Sequence, residues 1–382
     1  MTPSSNCKHS GMKKYLILTA AALAALVSCS KVQTTGEEDR AITFQMARLS
    51  SPTKADDKPA DYKEAYQAVP FGAYAWYKGV SAADNTTFMT NQKVSYDKTG
   101  DAWLPDGTTY YWPKSGSLDF ICYSPYSADA KGMTIAEDKI NFSGYTVGAD
   151  DLMYGDKATG LTQNVDSWYY NGVPVLFRHA LARVNFNVAA AYVEKAAETG
   201  DKTKWELTVS SATVKDVRTT GSLELPLDGK AWKLPENKVW TPTDAKKDLV
   251  LDVKELKPLT IEAQPLGTGM LVLPQLLAQG PQVEFVLTIK TYRDTGNGYA
   301  LFLTEKDIKV SAALVLDKLP QWGINQDITY NFVIAPTRGN GDGGDPNKPV
   351  DPKNPDLSDV EILFDPAVVD WQLVDVNATI NL

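Results

Sequence analysis

Cysteine and histidine are scarce in this chain of 382 residues, which contains three cysteines and two histidines. A predicted leader, residues 1–28, holds Cys7 and His9. If Cys29 is then modified, Cys122 is the one cysteine left, so an intramolecular disulfide is excluded. His179 likewise lacks a histidine or cysteine companion, which excludes a zinc site built on those ligands. Cys122 lies in an apolar strand-like stretch and is expected to be a buried, unreactive thiol.

The chain also lacks an apolar run long enough to span a bilayer. Residues 15–27 form a short apolar stretch behind a basic Met-Lys-Lys at 12–14, which is typical of a signal peptide. The stretch ends in Leu-Val-Ser-Cys at 26–29, the pattern of a lipobox. We therefore expect cleavage after Ser28, a diacylglycerol on the Cys29 thiol and an acyl chain on the new amine. The alternative is ordinary secretion with an incidental cysteine.

An excess of basic residues is absent as well. The chain has 38 Lys and Arg against 47 Asp and Glu, a net charge of −9. Removal of residues 1–28 takes three lysines and no acidic residue, which makes the balance −12. Nucleic acids and anionic lipid surfaces attract basic faces, so neither is an expected partner.

Signs of catalysis are missing from the sequence. GxSxG, P-loop and GxGxxG motifs do not occur in a suitable strand–turn–helix setting. His179 lies at the start of a predicted strand, where an imidazole bonded to backbone is favoured over a general base. The aspartates at 342, 345, 351 and 356 do not fit an EF-hand loop. We predict no enzymatic activity, no metal and no cofactor; a hydrolase would require His179 to lie exposed in a cleft.

Short stretches with a two-residue alternation dominate what is present, and they predict strands. The predicted strands are residues 41–46, 71–77, 118–123, 205–214, 221–225, 270–273, 283–290 and 328–334. A further β-rich block spans residues 175–188. The one plausible helix is residues 189–198. Many short strands with turns between them indicate an all-β fold of sandwiches or barrels.

The end of the chain carries the clearest strand pattern. One face of the predicted strand holds the apolar residues Val374, Val376, Ala378, Ile380 and Leu382. A polar stretch, residues 337–359, lies upstream and is long enough to let the strand reach a neighbouring subunit. Such a strand either closes its own sheet or adds to the sheet of another subunit. Residues 360–364 alternate too, so a donor of two short strands interrupted at Pro366 is a further possibility.

Several segments in order resemble the fimbrillin family, the lipoprotein-derived subunits of type V pili. The segments are Tyr-Trp-Pro at 111–113, Leu-Asp-Phe at 118–120, Tyr-Ser-Pro-Tyr at 123–126 and Phe-Arg-His-Ala-Leu-Ala-Arg-Val at 177–184. Leu-Pro-Gln at 273–275, Trp-Gly at 322–323 and Tyr-Asn-Phe at 330–332 are similar to later landmarks of that family. Together they span nearly the whole chain.

The resemblance implies two transthyretin-like Greek-key β-sandwiches and no enzymatic activity. On this basis residues 1–28 are the signal peptide and 29–54 a tether with a removable first strand. Residues 55–172 and 173–336 are the two sandwiches, 337–359 a polar linker and 360–382 the donor-strand segment. The precursor would reach the outer membrane as a lipoprotein and end as part of a surface fimbrium.

The resemblance also implies assembly by strand exchange. A trypsin-like protease would cut in the loop after the first strand, residues 41–46. Lys54 and Arg48 are the two candidates; we prefer Lys54, whereas the Arg-specific cleavage of the family favours Arg48. The vacated groove would accept a strand from another fimbrillin subunit, identical or different, because its unsatisfied backbone groups and apolar pockets are costly.

The role described so far is that of a stalk subunit, which forms the length of the fimbrium. Two other roles stay open. A tip or accessory fimbrillin would have the same fold, although the intact alternation at residues 374–382 favours a stalk. A monomeric surface lipoprotein would bind a glycan or host ligand through exposed aromatic side chains. Its binding platform would combine Trp103, Tyr110, Trp112, Trp168 and Tyr169, for which core packing is the simpler interpretation.

Overall fold

The computed structural model describes residues 39–46, 67–164, 171–196, 202–227, 239–253, 257–278, 280–315, 319–336 and 360–370. In the first half the strands are β1 Phe44–Met46, β2 Phe71–Lys78, β3 Thr86–Asp97, β4 Ala102–Pro105, β5 Ser117–Ser124, β6 Met133–Ala136, β7 Lys139–Thr146, β8 Met153–Gly155, β9 Ala158–Leu161, β10 Val173–Val175 and β11 Phe177–His179. Two short 3-10 helices, Ala82–Asp84 and Ala130–Gly132, interrupt them.

The remaining strands belong to the second half of the chain. They are β12 Ala182–Ala190, β13 Glu194–Ala196, β14 Lys202–Arg218, β15 Thr220–Pro226, β16 Thr241–Pro242, β17 Lys246–Val250, β18 Gln264–Pro265, β19 Met270–Val272, β20 Gln282–Asp294, β21 Tyr299–Ala313, β22 Gln326–Pro336 and β23 Val360–Asp370. The predicted all-β fold class is confirmed, while the Greek-key, transthyretin-like connectivity stays a prediction. No helix within the described ranges is long and apolar enough to cross a membrane.

The first half is built on a nine-stranded sheet with the order β10-β1-β4-β3-β2-β5-β8-β11, with β9 beside β5. Its two terminal strands, β10 and β11, follow one another in sequence with Leu176 alone between them. The sheet therefore folds over until its two ends meet. Its concave side holds an aromatic cluster that includes Phe44, Phe71, Trp103 and Phe120.

The second half pairs two five-stranded sheets, ordered β18-β12-β22-β23 with β19 beside β12, and β13-β14-β20-β21 with β17 beside β14. Alternate residues of β12, β14, β20 and β22 are buried in a common core. Val184, Phe186 and Val188 of β12 are 0–3% exposed, whereas Arg183, Asn185 and Asn187 between them are half-buried. The alternation in the sequence thus marks the inner face correctly.

The two halves share structure across residue 172, the predicted limit between sandwiches. Strand β7 pairs with β15 in a four-stranded sheet ordered β16-β15-β7-β6. A third apolar cluster joins Tyr74 and Ile121 to Trp240, Leu273 and Ile324. In addition β10 and β11, which follow residue 172, belong to the sheet of β1. The predicted boundaries of the two sandwiches stay a prediction.

The helix predicted at residues 189–198 is wrong where the structure describes it. Strand β12 continues through Ala190, and β13 occupies Glu194–Ala196. Ala189 and Ala190 pair in parallel with Val333 and Ile334 of β22 and are 3% and 1% exposed. Pairing and burial therefore override the high helix propensity of alanine.

Candidate functional site

The candidate site is the place of the first strand, β1, in the interior of the nine-stranded sheet. β1 runs parallel to β10, with Phe44 opposite Val173, and antiparallel to β4, with Phe44 opposite Trp103. The Ile42 N–H donates to the Tyr110 carbonyl at 2.8 Å, and the Val173 N–H donates to the Thr43 carbonyl at 2.7 Å. Both edges of this short segment are therefore hydrogen-bonded.

The side chains of this segment complete the apolar core of the first half. Ile42 is 1% exposed and Phe44 is 2% exposed. The Phe44 ring meets Phe71 and Phe120 edge-on, with ring centroids 5.5 and 5.7 Å away. We call the cavity that these two residues fill the first-strand slot; Phe71, Trp103, Phe120, Val173 and Val175 surround it. Burial of one such ring contributes about 1.5–3 kcal/mol.

A glycine permits the close approach of β10 to β1. Gly172 has φ +148°, and a Cβ atom built on it would lie 2.8 Å from the Phe44 carbonyl carbon. Only glycine combines that backbone angle with that contact. The parallel pairing with β10 was not predicted from the sequence. A glycine directly before the apolar 173–177 segment is the signal that could have indicated a close backbone approach.

The last described strand, β23, lies at the other end of the chain and pairs in antiparallel fashion with β22 of the same chain. The pairing runs from Gln326 opposite Asp370 to Pro336 opposite Val360, without a register shift. An interruption at Pro366 is not observed, since this residue stands opposite Tyr330 within the ladder. Proline is tolerated in a strand at the edge of a sheet, where one side of the strand makes no ladder bonds.

Most predicted processing sites lie outside the described residues. These are the lipidation site Cys29, the cleavage candidates Arg48 and Lys54, and the donor-strand residues Val374, Val376, Ala378, Ile380 and Leu382. Both cleavage candidates follow β1, which ends at Met46, and precede β2, which begins at Phe71. The last five follow β23, which ends at Asp370.

His179 and Cys122 are both buried. His179 is 7% exposed, and its Nδ1 lies 2.6 Å from a carboxylate oxygen of Asp151. This contact is to a carboxylate, whereas the sequence predicted a backbone partner, and His179 does not lie exposed in a cleft. Burial raises the pKa of the Cys122 thiol, which keeps the thiol protonated and unreactive at neutral pH. The predicted burial of Cys122 is confirmed.

The described aromatic residues of the alternative binding platform do not form an exposed surface. Trp103 is 5% exposed and Trp112 is 4% exposed, and both belong to the cluster around Phe44. The half-buried Tyr110 donates its hydroxyl to the Gln92 side-chain carbonyl at 3.1 Å. Core packing is therefore the correct interpretation for the two tryptophans. Trp168 and Tyr169 lie outside the described residues.

Comparison with solved structures gives a fold of the same kind. A fimbrial protein from Bacteroides vulgatus superposes with a TM-score of 0.51 at 15% identity, covering 87% of this chain and 100% of its own. A candidate cell adhesion protein from Bacteroides uniformis gives 0.42 at 16% identity, covering 87% and 98%. The fimbrial anchor protein Mfa2 from Porphyromonas gingivalis gives 0.28 at 11% identity, covering 87% and 98%. The first of these carries the fold comparison.

Comparison of sequences identifies the family. No functionally curated protein matches the chain. A model of the Fimbrillin-like family matches residues 59–339. The match includes most of the described strands and extends across both halves of the fold. Since it covers well over half of the sequence, the chain belongs to the fimbrillin-like family.

Proposed function

We propose that this chain is a fimbrial subunit that is exported as a lipid-anchored outer-membrane precursor and polymerises by strand exchange, in support of adhesion. Membership of the fimbrillin-like family supports a role as a pilus subunit or in adhesion at the cell surface. The role is structural, with other fimbrillin subunits as partners, and it involves no catalysis. The lipid on Cys29 holds the precursor at the membrane until cleavage.

The observation that carries the proposal is the placement of β1. The three residues of β1 occupy an interior position in the nine-stranded sheet. They have strand partners on both edges, and Phe44 lies in the aromatic core. The chain reaches β2 only after a sequence segment that contains Arg48 and Lys54. A cut in that segment converts β1 from a covalently tethered strand into a short peptide held by noncovalent contacts alone.

The vacated first-strand slot then favours a strand of similar pattern from another subunit. Loss of β1 leaves the facing N–H and C=O groups of β4 and β10 without strand partners, which costs about 1–3 kcal/mol for each buried group. Residues 374–382 offer a nine-residue alternation with five apolar side chains on one face. A longer donor makes more ladder bonds than the three residues it replaces, and this difference drives assembly.

The test is controlled cleavage of the full chain with trypsin, followed by light scattering. We expect release of the segment that contains residues 41–46 and growth of polymers. Simultaneous Arg48→Ala, Lys54→Ala and Lys63→Ala substitutions remove the two candidate sites and the remaining trypsin site before β2, and should leave the protein monomeric. The single variants identify which site is cut. A cleaved protein that has lost β1 and stays monomeric would overturn the proposal.

Deletion of residues 374–382 distinguishes this donor from any other. The deleted chain should be cleaved at the same rate but should not polymerise alone, because its slot is open and its donor is missing. Mixed with cleaved intact chain, it should accept one strand and terminate growth. Polymers of unchanged length from the deleted chain would exclude residues 374–382 as the donor.

A further inference from the structure

A buried lysine–aspartate pair lies on the face of β5 that points away from Phe44. Lys157 Nζ is 3.1 Å from Asp119 Oδ2, and both side chains are 10% exposed. Glu137 lies beside the pair, with its Oε1 atom 3.8 Å from Lys157 Nζ. The same Glu137 oxygen accepts a hydrogen bond from Lys78. Two amines and two carboxylates are thus gathered where little water reaches the central pair.

The strand register explains why Asp119 lies there. Leu118 and Phe120 belong to the aromatic cluster of the first half, so Asp119 between them points to the opposite face of β5. It stands opposite Trp76 in the pairing of β5 with β2. Trp76 packs against the cluster that joins the two halves, so Asp119 has an apolar neighbour on this face and is shielded from water.

Lys157 is held against Asp119 by its chain neighbours. Lys157 directly precedes β9, which pairs with β5 through Ala158 opposite Phe120. The preceding residue, Asp156, accepts two hydrogen bonds from Arg178, at 2.7 and 2.8 Å, and donates its own N–H to the Leu176 carbonyl at 3.0 Å. The backbone of Lys157 is therefore fixed on both sides, and the amine is kept close to the carboxyl group.

This pair differs from other lysine–carboxylate pairs of the described residues. Lys93 and Asp106 lie equally close, at 2.9 Å, but their side chains are 40% and 37% exposed. Two charges shielded from water are costly even when paired. Conversion of the Lys157–Asp119 pair to a neutral amide would remove both charges from the interior. Fixed proximity of the reacting groups also lowers the barrier to such a condensation.

We propose that Lys157 and Asp119 condense to an intramolecular amide, an isopeptide cross-link between β5 and the start of β9. The lysine Nζ attacks the Asp119 Cγ; the Nζ–Cγ bond forms and the Cγ–Oδ2 bond breaks. Two protons of the ammonium group leave with Oδ2 as one water molecule. The remaining N–H belongs to the new amide. No oxidant, reductant or further substrate takes part.

The neighbouring groups suit the two stages of this reaction. The Gly160 N–H donates to Asp119 Oδ1 at 2.8 Å, so it stabilises the negative charge that develops on the oxygen retained in the amide. Glu137 accepts a proton from Lys157 Nζ and passes it to the departing Oδ2, and it ends in its initial state. Lys78 orients the Glu137 carboxylate through its hydrogen bond.

The test is mass spectrometry of the full chain, denatured and then digested with trypsin. Trypsin does not cut after an amidated lysine, so peptides 115–131 and 140–178 should appear joined, with a mass lower than their sum by one water molecule. Lys93 is the internal control, and cleavage after it should be complete. Since denaturation disrupts an ion pair, separate peptides 115–131 and 140–157 would overturn the proposal.

Three substitutions test the chemistry. Lys157→Arg keeps the charge but removes the nucleophile, so the peptides should separate. Asp119→Asn should still form the link, now with loss of ammonia, and give a joined peptide of the same mass. Glu137→Gln cannot accept the proton and should leave most of the protein unlinked. A joined peptide in the Lys157→Arg variant would show that another residue forms the link and would contradict the assignment.

Discussion

The first and last described strands differ in length and in their position within the sheet, and the shorter strand has the more central position. β1 has three residues, lies in the interior of its sheet and has partners on both edges. β23 has eleven residues, lies at the edge of its sheet and pairs with β22 alone. The short strand thus contributes to the core of the fold, whereas the long strand extends a sheet that is complete without it.

The comparison teaches that position in the sheet decides the cost of losing a strand. Without β1, the nine-stranded sheet separates β4 from β10 and opens the aromatic cluster to water. Without β23, the sheet retains β12, β18, β19 and β22, including the buried side chains of β12 and β22. When the loss of a strand is costly, its replacement has a strong driving force. The first-strand slot is therefore suited to the proposed strand exchange.

The largest expected effect follows from truncation of the ring in the slot. Phe44→Ala removes edge-on contacts with Phe71 and Phe120 and should lower the free energy of unfolding by about 3–5 kcal/mol. Urea denaturation followed by tryptophan fluorescence measures it. Thr43→Ala is the matched control, since it removes only an exposed bond to the Asn171 carbonyl and should cost about 1 kcal/mol or less. Equal effects of the two substitutions would contradict the assigned role of the slot.

An intermediate effect is expected where β10 approaches β1. Gly172→Ala places a Cβ atom 2.8 Å from the Phe44 carbonyl carbon, and residue 172 has a φ of +148°, which is unfavourable for alanine. It should lower the unfolding free energy by about 1–3 kcal/mol. Gly148→Ala is the control, because no heavy atom lies within 4 Å of the added carbon. Thermal denaturation of both variants decides, and a stable Gly172→Ala protein would show that β10 can shift away from β1.

The reactivity of one buried thiol gives the most direct comparison of the two strands. Cys122 belongs to the cluster around Phe44 and is 3% exposed. Its thiol should react slowly with DTNB in the intact protein, because burial raises its pKa and blocks access. Loss of β1 should speed labelling by roughly tenfold for each 1.4 kcal/mol of lost opening free energy.

Deletion of residues 360–382 is the control for that experiment and should leave the labelling rate unchanged. Cys7→Ser and Cys29→Ser substitutions make Cys122 the one reactive thiol in both chains. Faster labelling after loss of β23, or unchanged labelling after loss of β1, would reverse the comparison between the two strands.

The sequence predicted the strands better than it predicted their partners. Alternation identified the inner faces of β12, β20 and β22, because burial on one side of a strand leaves a two-residue period. It did not identify the parallel pairs β1–β10 and β12–β22, since a period reports which face is buried and not which strand lies alongside. The helix prediction at 189–198 failed because the sequence does not show that Ala189 and Ala190 pair with β22.

The candidate site was predicted in part. Residues 41–46 were expected to form the first strand, and Ile42 and Phe44 are indeed buried. The role of Gly172 could not be deduced, because its backbone angle is visible only in three dimensions. The Lys157–Asp119 pair escaped prediction as well, since 47 acidic residues offer too many pairings without the strand register.

The cluster that joins Tyr74 and Ile121 to Trp240, Leu273 and Ile324 has a mechanical consequence. Apolar packing and the β7–β15 pair fasten the first half of the chain to the second over a broad area, so bending within a subunit would require close-packed side chains to separate. The two halves should therefore move as one stiff body. If the chain polymerises as proposed, bending under flow would be confined to the joints between subunits, and those joints would set the persistence length of the filament.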